Sequence, residues 1–369
     1  MYSENILKSD ERAVLSLRSL YKSYGYLPFK MSKFEEYDFY ARNKDFLISD
    51  RVITFNDVNG KLLALKPDVT LSIIKNTTDE PMVKQKVFYN ENVFRVSART
   101  HQFKEIMQTG LECIGDIDIT DTFEVVYLAA KSLDAVSHEL VLDISHMGIL
   151  SAFLDEISDD KSFIKEITKL ISEKNTHEAL ELCALKGIPA GKAATVSDIC
   201  ALYGDMNTVI DRLYSLANTD AQRSAIAELD ALCALLLTTE YADRIRIDFS
   251  VVNDMRYYDG IVFKGFLNGI SEAVLSGGAY DPLMKRMNRR SKAIGFALYL
   301  DALEELECSS RGYDVDVLLI YGDKTKAEEV IEAKNKIISE GKTVYAAKAV
   351  PKKIRFMQTV YLEKEAAEV

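Results

Sequence analysis

Apolar positions in the first 24 residues recur near helical spacing, at Val14, Leu15, Leu17, Leu20 and Tyr21. Acids come early in this stretch and Lys22 late, so it predicts an opening helix. From Gly25 to about Asp50 the pattern turns aromatic and charged. There Phe29, Phe34, Tyr37, Phe39 and Tyr40 are candidates to cover a sheet edge or a dimer seam. Next comes RVITFNDVNGKLLALKPDVT, in which Asn59-Gly60 separates two apolar runs, a hairpin signal. Pro67 is expected to end the second strand. A short helix follows from Thr70 to about Lys75. VFYNENVFRVSA and EIMQTGLECIG then read as a second strand pair across a polar stretch, and Asp121 to Leu133 alternates at helical period.

The pattern changes between about residues 150 and 242. Leu154, Ile157, Ile164, Ile167, Leu170 and Ile171 recur at three and four residues. The habit continues through Leu180, Leu182 and Leu185 and through Ile210, Leu213 and Leu216, predicting a helical subdomain. Strands return from Ile245 to Phe266, and Gly277-Gly278 reads as a turn before another helix. The chain closes with VDVLLIY, a helix from about Lys324 to Glu340, and the strand TVYAAKAV. Long antiparallel strands with helices set between them are α+β patterning, not the regular alternation of a parallel sheet. The domain reading is 1–306, holding a helical insertion at about 150–242, and 307–369, a small α/β unit.

Composition narrows this reading only in places. The 369 residues carry 46 Lys and Arg against 57 Asp and Glu, a net charge of −11. Residues 307–369 hold 11 of each sign, so the negative excess lies in residues 1–306. Such a field argues against general nucleic-acid binding. The five cysteines, Cys113, Cys183, Cys200, Cys233 and Cys308, form no CxxC, and the four histidines show no metal-ligand spacing. Neither a disulfide framework nor a metal site is expected. The start MYSENILKSDER places charges where a signal peptide needs apolar residues, and no run is long enough to span a membrane. The expectation is a cytoplasmic chain.

No glycine-rich phosphate loop and no G-x-S-x-G elbow occurs. GDKTKAEE reads as an ordinary βα turn, and the basic run KRMNRRSK (285–292) as a solvated face. One constellation is more informative. It contains Asp68 and Thr70 in KPDVT, Arg95 in VFR, Gln108 and Glu112 in MQTGLE, and Tyr257-Tyr258 in MRYYDGIVF. SGGAYD, with Gly277, Gly278 and Tyr280, and AIGFAL complete it. Gln108 and Glu112 are four apart on a strand and so share a face. A carboxylate and an amide there suit a ligand bearing an ammonium group.

In this order the segments resemble the histidyl-tRNA synthetase fold, a class II aminoacyl-tRNA synthetase domain with an antiparallel sheet flanked by helices. LALKPDVT resembles that family's L-R-P-E-G-T, and VFR its second class II motif up to the arginine. KEIMQTGLECIG resembles R-E-F-H-Q-x-G-C-E-x-x-G, RYYDGIVF resembles L-D-Y-Y-x-x-x-V-F, and GGAYD resembles G-G-R-Y-D. AIGFALYLDAL stands where the third class II motif, G-F-x-x-G-x-E-R, is expected.

Departures from these motifs bear on function. Ser97 replaces the acid beyond the motif-two arginine. Tyr299 and Ala302 replace the glycine and arginine of motif three. Asn253 replaces the arginine preceding D-Y-Y, Arg256 the aspartate there, and Ala279 the arginine of G-G-R-Y-D. Preorganised positive charge is the main catalytic resource in phosphate chemistry, so adenylation is not expected and no residue is assigned a catalytic role. The amino-acid side persists. The resemblance implies that Asp68, Thr70 and Gln108 face the α-amino group of histidine and that Glu112 and Tyr258 face its imidazole. Tyr257, Gly277, Gly278 and Tyr280 would complete the effector site, with Arg95 a candidate anion contact.

This pattern resembles the regulatory subunits of ATP phosphoribosyltransferase, non-catalytic relatives of the synthetase. That resemblance implies a short catalytic subunit as partner in a hetero-octamer, a homodimer of this chain, histidine as effector, no cofactor, no membrane and no tRNA. An amino-acid-binding synthetase paralogue with a different partner, such as a sensor, and an active histidyl-tRNA synthetase are the alternative readings.

Overall fold

The structure is a computed structural model that describes residues 7, 9–44, 47, 52–96, 102–252, 257–303 and 313–362. It divides into two compact units, Met1–Glu304 and Glu305–Val369. In chain order the first unit begins with α1 (Ser9–Ser23), β1 (Leu27–Pro28), β2 (Phe34–Glu36), α2 (Tyr37–Arg42), β3 (Thr54–Asn56), β4 (Leu62–Leu65) and α3 (Val69–Asn76). The long hairpin β5 (Gln85–Val96) and β6 (Phe103–Gly115) follows, then α4 (Ile119–Asp134) and β7 (Leu140–His146). A helical stretch runs through α5 (Met147–Ile157), α6 (Lys161–Ser172), α7 (Thr176–Leu185) and α8 (Ala190–Ala201). It continues past the short β8 (Tyr203–Gly204) into α9 (Met206–Leu216) and α10 (Asp220–Leu236). The unit ends with β9 (Ile245–Asp248), β10 (Ile261–Leu267), β11 (Leu275–Ala279), α11 (Asp281–Arg286) and β12 (Lys292–Tyr299).

Nine of these strands form one sheet, ordered β1-β5-β6-β12-β11-β10-β7-β9-β8 among the described residues. Only β1–β5 and β7–β9 pair in parallel. β2, β4 and β3 make a small separate antiparallel sheet. The large sheet has two unlike faces because side chains alternate along each strand. On the back, Leu111, Cys113, Phe263 and Phe296 are buried, and the buried row Val125, Val126, Ala129 and Leu133 of α4 lies in the same core. Tyr21 of α1 meets Phe88 and Phe296 there. On the front, Gln108, Gly110 and Glu112 lie opposite Tyr299, Ala297 and Gly295 of β12. A second apolar cluster builds this side. It includes Tyr40, Val69, Ile73, Tyr89, Ile114, Leu283 and Met284, with Tyr37 and Phe39 packed against it.

Gly277 and Gly278 correct the expectation of a turn, because both lie inside β11. Close packing explains them. A Cβ on Gly277 would sit 2.5 Å from the Gly295 carbonyl, and one on Gly278 would sit 2.6 Å from the Ile261 carbonyl. The expected second hairpin, the helix after Pro67 and the helical stretch are all present.

The second unit has β13 (Val315–Ile320) at the centre of a three-stranded parallel sheet, between β14 (Val344–Ala347) and β15 (Phe356–Tyr361). α12 (Ala327–Ser339) connects β13 to β14, the helical crossover that a parallel pair needs.

Asp118 fixes the start of α4. Its carboxylate accepts from Thr120 N at 2.8 Å and Asp121 N at 3.1 Å, while Asp121 accepts from Asp118 N at 3.0 Å. This reciprocal cap satisfies donors that the helix leaves open. Asp118→Ala is expected to cost about 1 kcal/mol of stability, measured as a lower thermal midpoint with an unchanged folded-state spectrum.

Candidate functional site

The strand end at KPDVT is held rigidly before it reaches the cavity. Lys66 is fully buried and pairs with Glu91 at 2.9 Å. Its carbonyl accepts from Phe94 N and its own N–H donates to Lys33 O. Burial pushes the Lys66 ammonium below its ordinary pKa. Asp68 then caps α3, accepting from Leu71 N at 2.9 Å. Burial raises the Asp68 carboxyl, opposed by its backbone donors and by the Arg95 and Lys66 charges. Arg95 completes this end by donating through Nε to Pro67 O at 3.0 Å.

Glu112 stands at the other end. It is 2% exposed, and its two oxygens receive two hydroxyls. Thr70 donates to Oε1 at 2.9 Å and Tyr280 to Oε2 at 2.7 Å. Desolvation outweighs these bonds and pushes the carboxyl up to about 8. The opposite position on β12 is Gly295. A Cβ there would fall on the Glu112 carboxylate and would also meet Leu111 O at 2.5 Å. The missing side chain is what lets the carboxylate lie across the neighbouring strand. Gly110 serves the same purpose for Tyr89, whose hydroxyl would stand 2.6 Å from an added Cβ.

Between these ends lies a cavity of about 330 Å³. Asp68, Thr70, Arg95, Gln108, Glu112, Tyr257, Tyr258, Gly277 and Tyr280 all line it. Gly278 is the exception. It sits behind the lining, and the space beside it is closed by the Tyr258 ring, 2.8 Å from where a Cβ would be. The Tyr257 ring lies tilted against Tyr258, with centroids 4.4 Å apart, and 6.0 Å from Tyr280. Burial raises all three phenols well above their ordinary range, so they stay protonated hydrogen-bonding groups. Thr70 bonds to Glu112, not to Asp68, so its hydroxyl belongs to the carboxyl end.

Tyr89 and Tyr299 also line the cavity, outside the expected set. Strand pairing would reveal both, because Tyr89 faces Gly110 and Tyr299 faces Gln108. Arg95 is the one cationic side chain among the described lining residues. Ala302 lies in a short turn after β12, and Ala279 ends β11. Ser97, Asn253, Arg256 and Cys308 fall outside the described residues. Among the described residues no group of three or more His, Cys, Asp or Glu is placed to hold a metal ion.

A mostly antiparallel sheet flanked by helices, with a polar cavity on its open face, defines a class II aminoacyl-tRNA synthetase-like protein. Residues 4–303 match the family model for histidyl-tRNA synthetase, and the chain belongs to that family. A relative from Oceanobacillus iheyensis, named ATP phosphoribosyltransferase regulatory subunit, is 27% identical over 82% of this chain and 75% of its own. A crystal structure of an ATP phosphoribosyltransferase regulatory subunit/histidyl-tRNA synthetase from Bacillus halodurans C superposes with a TM-score of 0.74. Its identity is 22%, covering 96% of this chain and 93% of that one. An ATP phosphoribosyl transferase (HisG:HisZ) complex from Thermotoga maritima contains a chain with a TM-score of 0.63 and 22% identity, covering 79% and 97%.

The Gly295 contact gives a direct test. Gly295→Ala is expected to lower stability by about 1–3 kcal/mol through overpacking. Adding Glu112→Gly should restore part of the loss and not all, since the Leu111 carbonyl still crowds the methyl. Chemical denaturation of the single and double variants measures both.

Proposed function

We propose that this chain is a non-catalytic regulatory subunit of ATP phosphoribosyltransferase. In this reading it supports a short catalytic subunit, which joins ATP to phosphoribosyl pyrophosphate in the first step of histidine biosynthesis, and it carries the feedback by histidine. The observation that carries the reading is the charge balance of the cavity. Among the described residues, the buried Glu112 carboxyl, the half-buried Asp68 carboxyl, an amide and a set of hydroxyls line the cavity, against one lining cation, Arg95. That suits an amino acid with an ammonium group and a ring N–H. It does not suit adenylation, whose pentavalent phosphate needs several fixed positive charges. The names of the relatives point the same way. The assembly expected is a hetero-octamer built on homodimers of this chain, located in the cytoplasm, with no cofactor of its own and no tRNA. No described helix is long and apolar enough to cross a membrane.

Feedback is then a coupling free energy. Histidine must bind one state of the complex better than another, by about 1–3 kcal/mol for useful inhibition.

Reconstitution tests the reading. Adding this chain to a short catalytic phosphoribosyltransferase should raise its rate, and free histidine should lower it again. No stimulation together with no co-elution on a sizing column overturns the proposal. Histidine-dependent pyrophosphate exchange by this chain alone overturns its non-catalytic character. Glu112→Ala should weaken histidine inhibition about 5- to 150-fold, as expected for about 1–3 kcal/mol of unpaired donor, while the complex still co-elutes. Unchanged inhibition in that variant would place the effector elsewhere.

A further inference from the structure

This inference rests on reading the cavity as a histidine pocket and concerns how that pocket is regulated. The groups facing Glu112 come from every surrounding element. α3 contributes Thr70 and the capping carboxyl of Asp68, and the head of α11 contributes Tyr280. β5 contributes Tyr89 and Arg95, and Gln108 shares the strand of Glu112. Tyr257 and Tyr258 precede β10, and Tyr299 ends β12. Arg95 is engaged at the Asp68 end, on the Pro67 carbonyl. Both Glu112 oxygens therefore receive neutral hydroxyl donors, and the carboxyl itself is buried. A group so placed is a proton store that an imidazole can draw on.

We propose that the cavity holds the effector's imidazole with one proton shared between the ring and Glu112, so that binding is strongest near neutral pH and is proton-linked on both sides of it. In the empty site the carboxyl stays protonated up to about pH 8. A free imidazole ordinarily titrates at about 6.5. Between these limits the neutral ring meets the neutral acid. The Glu112 O–H bond breaks, a ring N–H bond forms, and no proton is exchanged with water. Above the window Glu112 is already a carboxylate and the ring neutral, so binding draws one proton from solvent. Below it the ring is already a cation and Glu112 still an acid, so binding releases one. Affinity should therefore fall about tenfold per pH unit on either side. Asp68 strengthens the effect, because its negative charge also favours the protonated form of Glu112.

Calorimetric titration of free histidine into the full chain, between about pH 5.5 and 9 in buffers of different ionisation enthalpy, counts these protons. The expected count passes from release, through zero near neutrality, to uptake. The ammonium of histidine titrates alike in every variant, so variants isolate the carboxyl. Glu112→Gln should abolish the part of both limbs that belongs to the carboxyl. Tyr280→Phe removes a bond that lowers the carboxyl pKa, so its alkaline limb should move to higher pH. An infrared carbonyl band of a protonated acid at neutral pH, lost in Glu112→Gln, reports the store without any ligand. Equal proton counts in wild type, Glu112→Gln and Tyr280→Phe, or absence of that band, overturns the proposal while leaving the histidine reading intact. Failure to bind histidine at any pH overturns both.

Discussion

The contact between Glu112 and Gly295 is the constraint on which the site depends. A carboxyl with 2% exposure cannot stand on a sheet face without room to lie down and donors to receive it. Gly295 provides the room, directly opposite across the β6–β12 pairing. Thr70 and Tyr280 provide the donors, and each is held by a different helix start. α3 can present Thr70 only because Asp68 caps it, and Asp68 is placed by the buried Lys66–Glu91 pair behind it. A chain of local requirements thus runs from the Lys66–Glu91 ion pair to one buried acid.

Much of this was legible in the sequence, for identifiable reasons. Helical periodicity marks α5, α6 and α9 because Leu154, Ile157, Ile167, Leu170, Ile171, Ile210 and Leu213 all face the interior, whereas Leu180 and Leu185 of α7 are exposed. Asn59-Gly60 marks its turn because Gly60 has a positive φ of 80°. Gln108 and Glu112 share a face because strand period is two. What periodicity does not show is pairing. Tyr89 and Tyr299 reach the cavity through register with Gly110 and Gln108, a relation between distant segments. The misread glycines make the same point. Gly277 and Gly278 carry the composition of a turn, yet they serve a central strand where neighbouring carbonyls and rings leave no room for a Cβ. Thr70 makes the same point, since a residue two from Asp68 in sequence bonds to Glu112 in space.

The two ends of the cavity differ in a way that bears on what the fold can be used for. At the Asp68 end a helix N-terminus, Arg95 and backbone donors oppose the cost of burial. At the Glu112 end no cation among the described residues does so, and two hydroxyls are outweighed by desolvation. An enzyme of phosphate chemistry would spend its fixed positive charge on the transition state. In the proposed reading the polarity here serves a ground-state ligand. Hydroxyls and an amide set its orientation, and acids meet its donors.

A buried acid held by hydroxyls alone also makes the empty state the less favourable one. Burying a carboxyl without a cation costs free energy, which the protein limits by keeping the group protonated. A ligand that brings a basic ring and an ammonium recovers part of that cost, and it does so only in a conformation where Thr70, Tyr280 and Gly295 hold the carboxyl in place. Any motion of α3 or α11 that disturbs this grip lowers the affinity. The converse follows from linkage: a bound ligand must resist such motion with the same free energy. A site of this construction therefore reports on the positions of the elements that form it. In the proposed reading, that property gives a synthetase-like fold a physical route to regulating another subunit.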